Sequence, residues 1–108
     1  MITDASLTVK MCMLGTTMRI KELHVIDCLE CTDDLYLPFG LVGLCDGCLS
    51  GLDNLKLVKL ASSITEVGEG VFSNCLNLEK IIIYEHQRQF EDRLKYANTA
   101  EVIYVHQG

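Results

Sequence analysis

Residues 64–86 read ITEVGEGVFSNCLNLEKIIIYEH, and residues 41–63 immediately before them read LVGLCDGCLSGLDNLKLVKLASS. Laid over each other at a spacing of 23, they share Gly47/Gly70, Ser50/Ser73, Asn54/Asn77 and Leu55/Leu78 as identities. Further pairs keep an apolar side chain in phase: Leu41/Ile64, Leu44/Val67, Cys48/Val71, Leu49/Phe72, Leu52/Cys75, Val58/Ile81 and Leu60/Ile83. A period in the twenties, with apolar phases held and polar phases free, marks stacked units that bury their apolar sides against one another. The stretch therefore predicts a solenoid. Such a fold presents a surface; it does not by itself make a catalytic pocket.

One period earlier, residues 18–40 (MRIKELHVIDCLECTDDLYLPFG) keep the apolar phases at Met18, Val25, Ile26, Leu29, Leu35 and Leu37. Lys21 and Thr32 break two others, so this reads as a degenerate repeat. Residues 87–108 read as a C-terminal capping unit. A helix is expected over Gln87–Ala97, with Phe90, Leu94 and Ala97 on one face, Glu91 paired with Lys95, and Asn98 as the stop. The strand Glu101–Val105 then matches Glu79–Ile83 one residue early. Residues 1–17 make an N-terminal cap. Within it Leu7–Met13 alternates, and Gly15-Thr16-Thr17 turns the chain into a hairpin with Arg19–Ile26. The whole 108-residue chain is one domain.

Each unit ends in a short alternating strand: Leu35-Tyr36-Leu37, Val58-Lys59-Leu60, Ile81-Ile82-Ile83 and Ile103-Tyr104-Val105. Side chains of a strand have period two, so the first and third members should enter the core and the middle one face out. Strands spaced this way with a crossover between them become parallel neighbours. Gly47 and Gly70 sit where a tight bend wants no Cβ, and Asn54 and Asn77 where a side chain can bond a turning backbone.

The stretch ITEVGEGVFSNCLNLEKIII resembles the BspA-type, or Treponema pallidum-type, leucine-rich repeat, of form (V/I)-T-x-I-G-x-x-A-F-x-x-C-x-x-L-x-x-I-x-I-P. Ile64, Val67, Gly68, Phe72, Cys75, Leu78, Ile81 and Ile83 fall on that pattern, with Val71 in the alanine place. In the unit before, Cys45 replaces the glycine, Cys48 the alanine and Leu52 the cysteine; Leu35-Tyr36-Leu37-Pro38 carries a further strand and proline. The resemblance spans roughly residues 33–105. It implies an α/β solenoid: a short leucine-rich repeat of about 23-residue coils with a parallel sheet, an N-terminal β segment and a C-terminal helix-strand cap. It also implies protein–protein contact or adhesion and carries over no catalytic residues; the chain is therefore expected to be a non-enzymatic protein–protein interaction module of adaptor, adhesion or inhibitor type.

Composition narrows the classes. With 49% hydrophobic residues the chain is not disordered, and its longest apolar runs are too short for a transmembrane helix. Residues 1–13 (MITDASLTVKMCM) lack the pattern of a signal peptide, so the chain as it stands is expected in the cytoplasm. A truncated N-terminus would allow an extracellular or cell-surface place, where similar repeats are often found. Net charge is −6, from 15 acids and 9 bases without a basic cluster, which argues against nucleic-acid binding. The stretch Asp27, Glu30, Asp33, Asp34 admits a nucleic-acid-mimic inhibitor; a solvated face is the plainer reading.

Two Cys-x-x-Cys pairs, Cys28/Cys31 and Cys45/Cys48, have the spacing of a small structural zinc module. Against this, Cys48 and Cys75 occupy core-facing repeat phases and Cys45 the place of Gly68, so buried thiols explain them and no cofactor is expected. Neither pair opens a helix in a βαβ unit, as a redox pair would. His24, His86 and His106 lack ligand spacing and a nucleophile nearby, and Gly68-Glu69-Gly70 belongs to the repeat.

The alternation makes one positive assignment. The outward row should be Tyr36, Lys59, Ile82 and Tyr104, flanked by Asp34, Leu57, Lys80, Val102 on one side and Pro38, Ala61, Tyr84, His106 on the other. Tyrosine and aliphatic side chains ringed by charge have the composition of an interface core. Tyr36, Leu57, Lys59, Lys80, Ile82, Tyr84, Val102 and Tyr104 are therefore the expected partner-binding residues, for a protein partner or a second copy in a homodimer.

Overall fold

The computed structural model of the chain describes residues 9–13 and 16–105, the first segment in its backbone path alone. Strands run in the order β1 (Val9–Met13), β2 (Thr16–Lys21), β3 (His24–Glu30), β4 (Asp34–Tyr36), β5 (Gly43–Leu44), β6 (Leu57–Lys59), β7 (Glu66–Val67) and β8 (Lys80–Tyr84). A 3₁₀ turn (Glu85–Phe90), a short helix α1 (Glu91–Lys95) and β9 (Glu101–Val105) follow. They form two sheets around one core: β4-β6-β8-β9, all parallel, and β1-β2-β3-β5-β7, antiparallel at first and parallel beyond β3.

The units at 41–63 and 64–86 stack as the spacing of 23 demands. Leu57 pairs with Lys80, Val58 with Ile81, and Gly43 with Glu66. The turns join as well, because Leu49 N–H donates to the Val71 carbonyl at 3.1 Å and Gly51 N–H to that of Ser73 at 2.9 Å. Each unit is thus bonded to the next along three sides. Gly47 and Gly70 stand at φ +61° and +63°, the left-handed bend expected of them. Gly68 answers a different need. A Cβ there would lie 2.5 Å from the Asp46 backbone nitrogen, so only a glycine lets the two backbones approach.

Leu35 and Leu37, Val58 and Leu60, and Ile81 and Ile83 are all buried, as their alternation requires. They meet Leu44, Leu49, Val67, Phe72 and Leu78 in one apolar cluster. Each such side chain contributes about 1.5–3 kcal/mol by leaving water.

The structure departs from the sequence reading in four places. Repeat units contain strands and turns only; among the described residues helix is confined to the cap, so the α component is smaller than an α/β fold implies. Residues 18–40 do not keep the 23-residue register throughout. Val25, not Lys21, pairs beside Leu44, because β2 and β3 form an antiparallel hairpin whose Lys21–His24 pair encloses Glu22 and Leu23. That hairpin breaks Arg19–Ile26, and Thr16 and Thr17 belong to β2, with Thr16 opposite Met13. The assignments to residues 1–8, Gly15 and His106 lie outside the described residues.

The helix is shorter than Gln87–Ala97 and starts as a 3₁₀ turn. Ala97 leaves it at φ +58° and is exposed instead of joining Leu94 in the core. Asn98 does act at the end: its Nδ2 donates to the Leu94 carbonyl at 2.8 Å and to Phe72 at 3.2 Å.

The fourth departure concerns β9. Ile81 pairs with Val102 and Ile83 with Tyr104, so Val102 and Tyr104 follow the core-facing residues, and both pack on the core. Ile103 takes the outward place beside Ile82. Val102 to Val105 is apolar at every position, so alternation cannot choose a face, and a slip of one residue exchanges the two. Tyr104 has a polar reason for its side. Its hydroxyl donates to the Glu91 carboxylate, and the Arg88 guanidinium lies 4.2 Å over its ring.

Candidate protein-binding face

The outer side of the four-stranded sheet carries Tyr36, Lys59, Ile82 and Ile103 as its central row, from β4, β6, β8 and β9. Asp34, Leu57, Lys80 and Glu101 lie in register on one side of it, and Tyr84 and Val105 on the other. Six of the expected contact residues, Tyr36, Leu57, Lys59, Lys80, Ile82 and Tyr84, thus share one face. Val102 and Tyr104 do not. Glu101 takes the place of Val102 beside Lys80, and Ile103 that of Tyr104 beside Ile82, which no alternation in the sequence could have indicated.

Tyr36 is 56% exposed, while Leu57, Lys59, Ile82, Tyr84 and Ile103 are half-buried by one another. Lys59 Nζ lies 5.8 Å from the centre of the Tyr84 ring, and the Tyr84 and His86 rings are 6.0 Å apart. At the carboxyl ends of β4, β6 and β8 the face deepens into a cleft of about 210 Å³ lined by Tyr36, Phe39, Lys59, Ala61 and Tyr84 among others. Phe39 is a residue the sequence reading missed. It sits between Pro38 and Gly40, outside the alternating strand, and is 81% exposed.

The cysteines are brought into other surroundings than a metal site. Among the described residues no three His, Cys, Asp or Glu side chains gather as a ligand set, so Cys28, Cys31, Cys45 and Cys48 do not converge on one point. Cys48 and Cys75 are core residues; burial pushes the Cys48 thiol up to about 12, and Cys75 Sγ donates to the Leu49 carbonyl at 3.1 Å. Cys28 and Cys31 lie half-buried at the end of β3, where Cys28 Sγ donates to the Glu30 carbonyl at 3.1 Å and Cys31 Sγ to that of Thr32 at 3.2 Å. The interaction between the two thiols lowers the Cys28 pKa and, with burial, raises that of Cys31. In the acidic stretch Asp27 is taken by Arg19 across β2 and β3, a charge-assisted contact that lowers its carboxyl pKa. Among the described residues no helix is long and apolar enough to cross a membrane.

Two units in one register, joined by parallel strands at a spacing of 23, define a repeat fold. The family of the BspA type leucine rich repeat region (6 copies) matches residues 26–103, and the chain belongs to that family. Its members generally mediate protein–protein contact and are typically not enzymes. No curated protein and no solved structure matches the chain.

Proposed function

We propose that this chain is a short solenoid that binds a protein through the outer face of its parallel sheet, as an adaptor, adhesion or inhibitor module. One observation carries the reading. The N-terminal strands, the segment best able to cover that face, are committed to the other sheet through the pairing of β3 with β5. The patch of Tyr36, Leu57, Ile82, Ile103 and Tyr84 therefore stays accessible while the opposite side of the same sheet is closed. Apolar and aromatic side chains at the centre with Asp34, Lys80 and Glu101 along one side have the anatomy of a binding surface, with a dry middle and a charged rim.

The test is capture of partners from native lysate by the wild type and by Leu57→Glu/Ile82→Glu. Both positions are half-buried on the surface, so circular dichroism should be unchanged while capture is lost. Capture of the same proteins by both baits would reject the face. Light scattering at rising concentration separates a second copy from a foreign partner: a dimer dissolved by the same double substitution means self-association.

A further inference from the structure

Within this face, and resting on its reading as a binding surface, we infer that the cleft between Tyr36, Phe39, Lys59 and Tyr84 is the anchor point for one carboxylate side chain of an extended partner segment, with an apolar residue beside it. The cleft lies at the carboxyl ends of three neighbouring strands, where Ala61 stands in the row of Tyr84 and leaves a depression. Its volume, about 210 Å³, is below that of pockets that enclose metabolites, roughly 300–1,000 Å³, and suits one or two side chains.

Charge decides which side chains. Lys59 is half-buried in the centre of the sheet, and among the described residues no carboxylate pairs with it; the ion pairs are Arg19–Asp27, His24–Glu66 and Arg88–Glu85. Its neighbour is the Tyr84 ring, and Tyr36 precedes it in the row. A lysine whose stem is packed into the face and whose ammonium stands beside an aromatic ring is held in place to meet a carboxylate, at less ordering cost than a free surface lysine. The same placement opposes a cation as ligand, because the Lys59 ammonium beside the Tyr84 ring would repel it.

The apolar wall is built in advance. Phe39 projects from a bend whose backbone is tied down: Gly40 N–H donates to Ser63 Oγ at 2.9 Å, and Ser63 Oγ–H donates to the Leu41 carbonyl at 2.7 Å. An 81% exposed phenylalanine on a fixed bend offers its ring to a ligand with the backbone part of the ordering cost already met. The net charge of −6 limits the anchor to a segment with one acid, since a run of acids would be repelled by the rest of the chain.

The experiment is selection of random twelve-residue peptides displayed on phage against the full chain, followed by affinities of the winners. Enriched peptides should carry Asp or Glu next to an aliphatic or aromatic residue. Lys59→Met should weaken them at least tenfold, and Lys59→Arg should restore binding to within a few-fold. Winners without an acid, or winners that bind Lys59→Met as well as the wild type, overturn the anchor; if Ile82→Glu still removes them, the face itself stands. Absence of any enriched peptide also overturns the anchor and leaves the lysate capture to decide the face.

Discussion

Asn77 makes, one unit further along, the bond that Asn54 makes: Asn54 Nδ2 donates to the Cys31 carbonyl at 2.5 Å, and Asn77 Nδ2 to the Asp53 carbonyl at 2.6 Å. Each side chain leaves its own unit and satisfies a turn of the unit before, so the pair forms a ladder that fixes the stacking register. Asn54→Ala or Asn77→Ala should each lower stability by about 1 kcal/mol, the net value of one such bond. Asn77→Asp should cost at least as much, because it sets a carboxylate against a carbonyl. Urea midpoints of the variants check both statements.

Gln87 is the fully buried polar side chain that ties the cap down. Its Nε2 donates to the carbonyls of Ala61 at 2.8 Å and Ile64 at 3.0 Å, and its Oε1 accepts the Tyr84 N–H at 2.9 Å. Gln87→Leu keeps the size but strands the Tyr84 N–H and the Ile64 carbonyl, while the Ala61 carbonyl keeps the Ile64 N–H at 3.1 Å. A loss of about 3 kcal/mol is expected, at 1–3 kcal/mol for each unsatisfied buried group less some gain in apolar burial. Thermal unfolding reads it; a change below about 1 kcal/mol would mean that water reaches these groups.

His24 joins the N-terminal hairpin to the second unit. Its Nδ1 lies 2.8 Å from the Glu22 carbonyl and its Nε2 3.2 Å from Glu66 Oε1. Both nitrogens face acceptors, which only the imidazolium can serve at once. The hydrogen bond to the Glu22 carbonyl raises its pKa, burial opposes, and Glu66 adds to the rise. A folded pKa above the unfolded one gives stability that is complete below the unfolded value and is lost as pH rises through the folded value. The stability difference between wild type and His24→Gln should therefore be larger at pH 5 than at pH 8. It should stay below about 1 kcal/mol, since Glu66 is exposed and screened. A difference independent of pH would remove the charge from this account.

The β2–β3 turn carries strain that can be relieved. Glu22 and Leu23 stand at φ +53° and +65°, the two left-handed residues of a type I′ turn, where Asn-Gly is preferred. Leu23 is more than half exposed, so its side chain adds little burial. Leu23→Gly should raise stability by about 0.5 kcal/mol, the removed strain less the added freedom of the unfolded chain. A lowered melting temperature would show that Leu23 packs against something in solution.

Much of this architecture is legible in residues. The spacing of 23 predicted the parallel neighbours from Leu57–Lys80 to Val58–Ile81, and the alternation placed Tyr36, Lys59 and Ile82 on one face. Gly47 and Gly70 needed left-handed φ, and Asn54 and Asn77 a backbone to bond. Each of these is a local requirement that a residue type states alone. For the cysteines the repeat phase told more than the Cys-x-x-Cys spacing: it placed Cys48 and Cys75 in the core, where both are buried, whereas spacing along a chain does not say where thiols point.

Periodic apolar phases by themselves determined that this protein stacks units and which strand residues enter the core, because burial must recur at the same phase in every unit. Tertiary structure alone decided where the pattern is uninformative. Val102 to Val105 could face either way, and Tyr104 went inward because Glu91 and Arg88 receive its hydroxyl and ring. The N-terminal strands could have lain on either sheet, and the pairing of Val25 with Leu44 sent them to the side away from the tyrosines. Both choices rest on contacts between residues distant in sequence, whose energies no local pattern records.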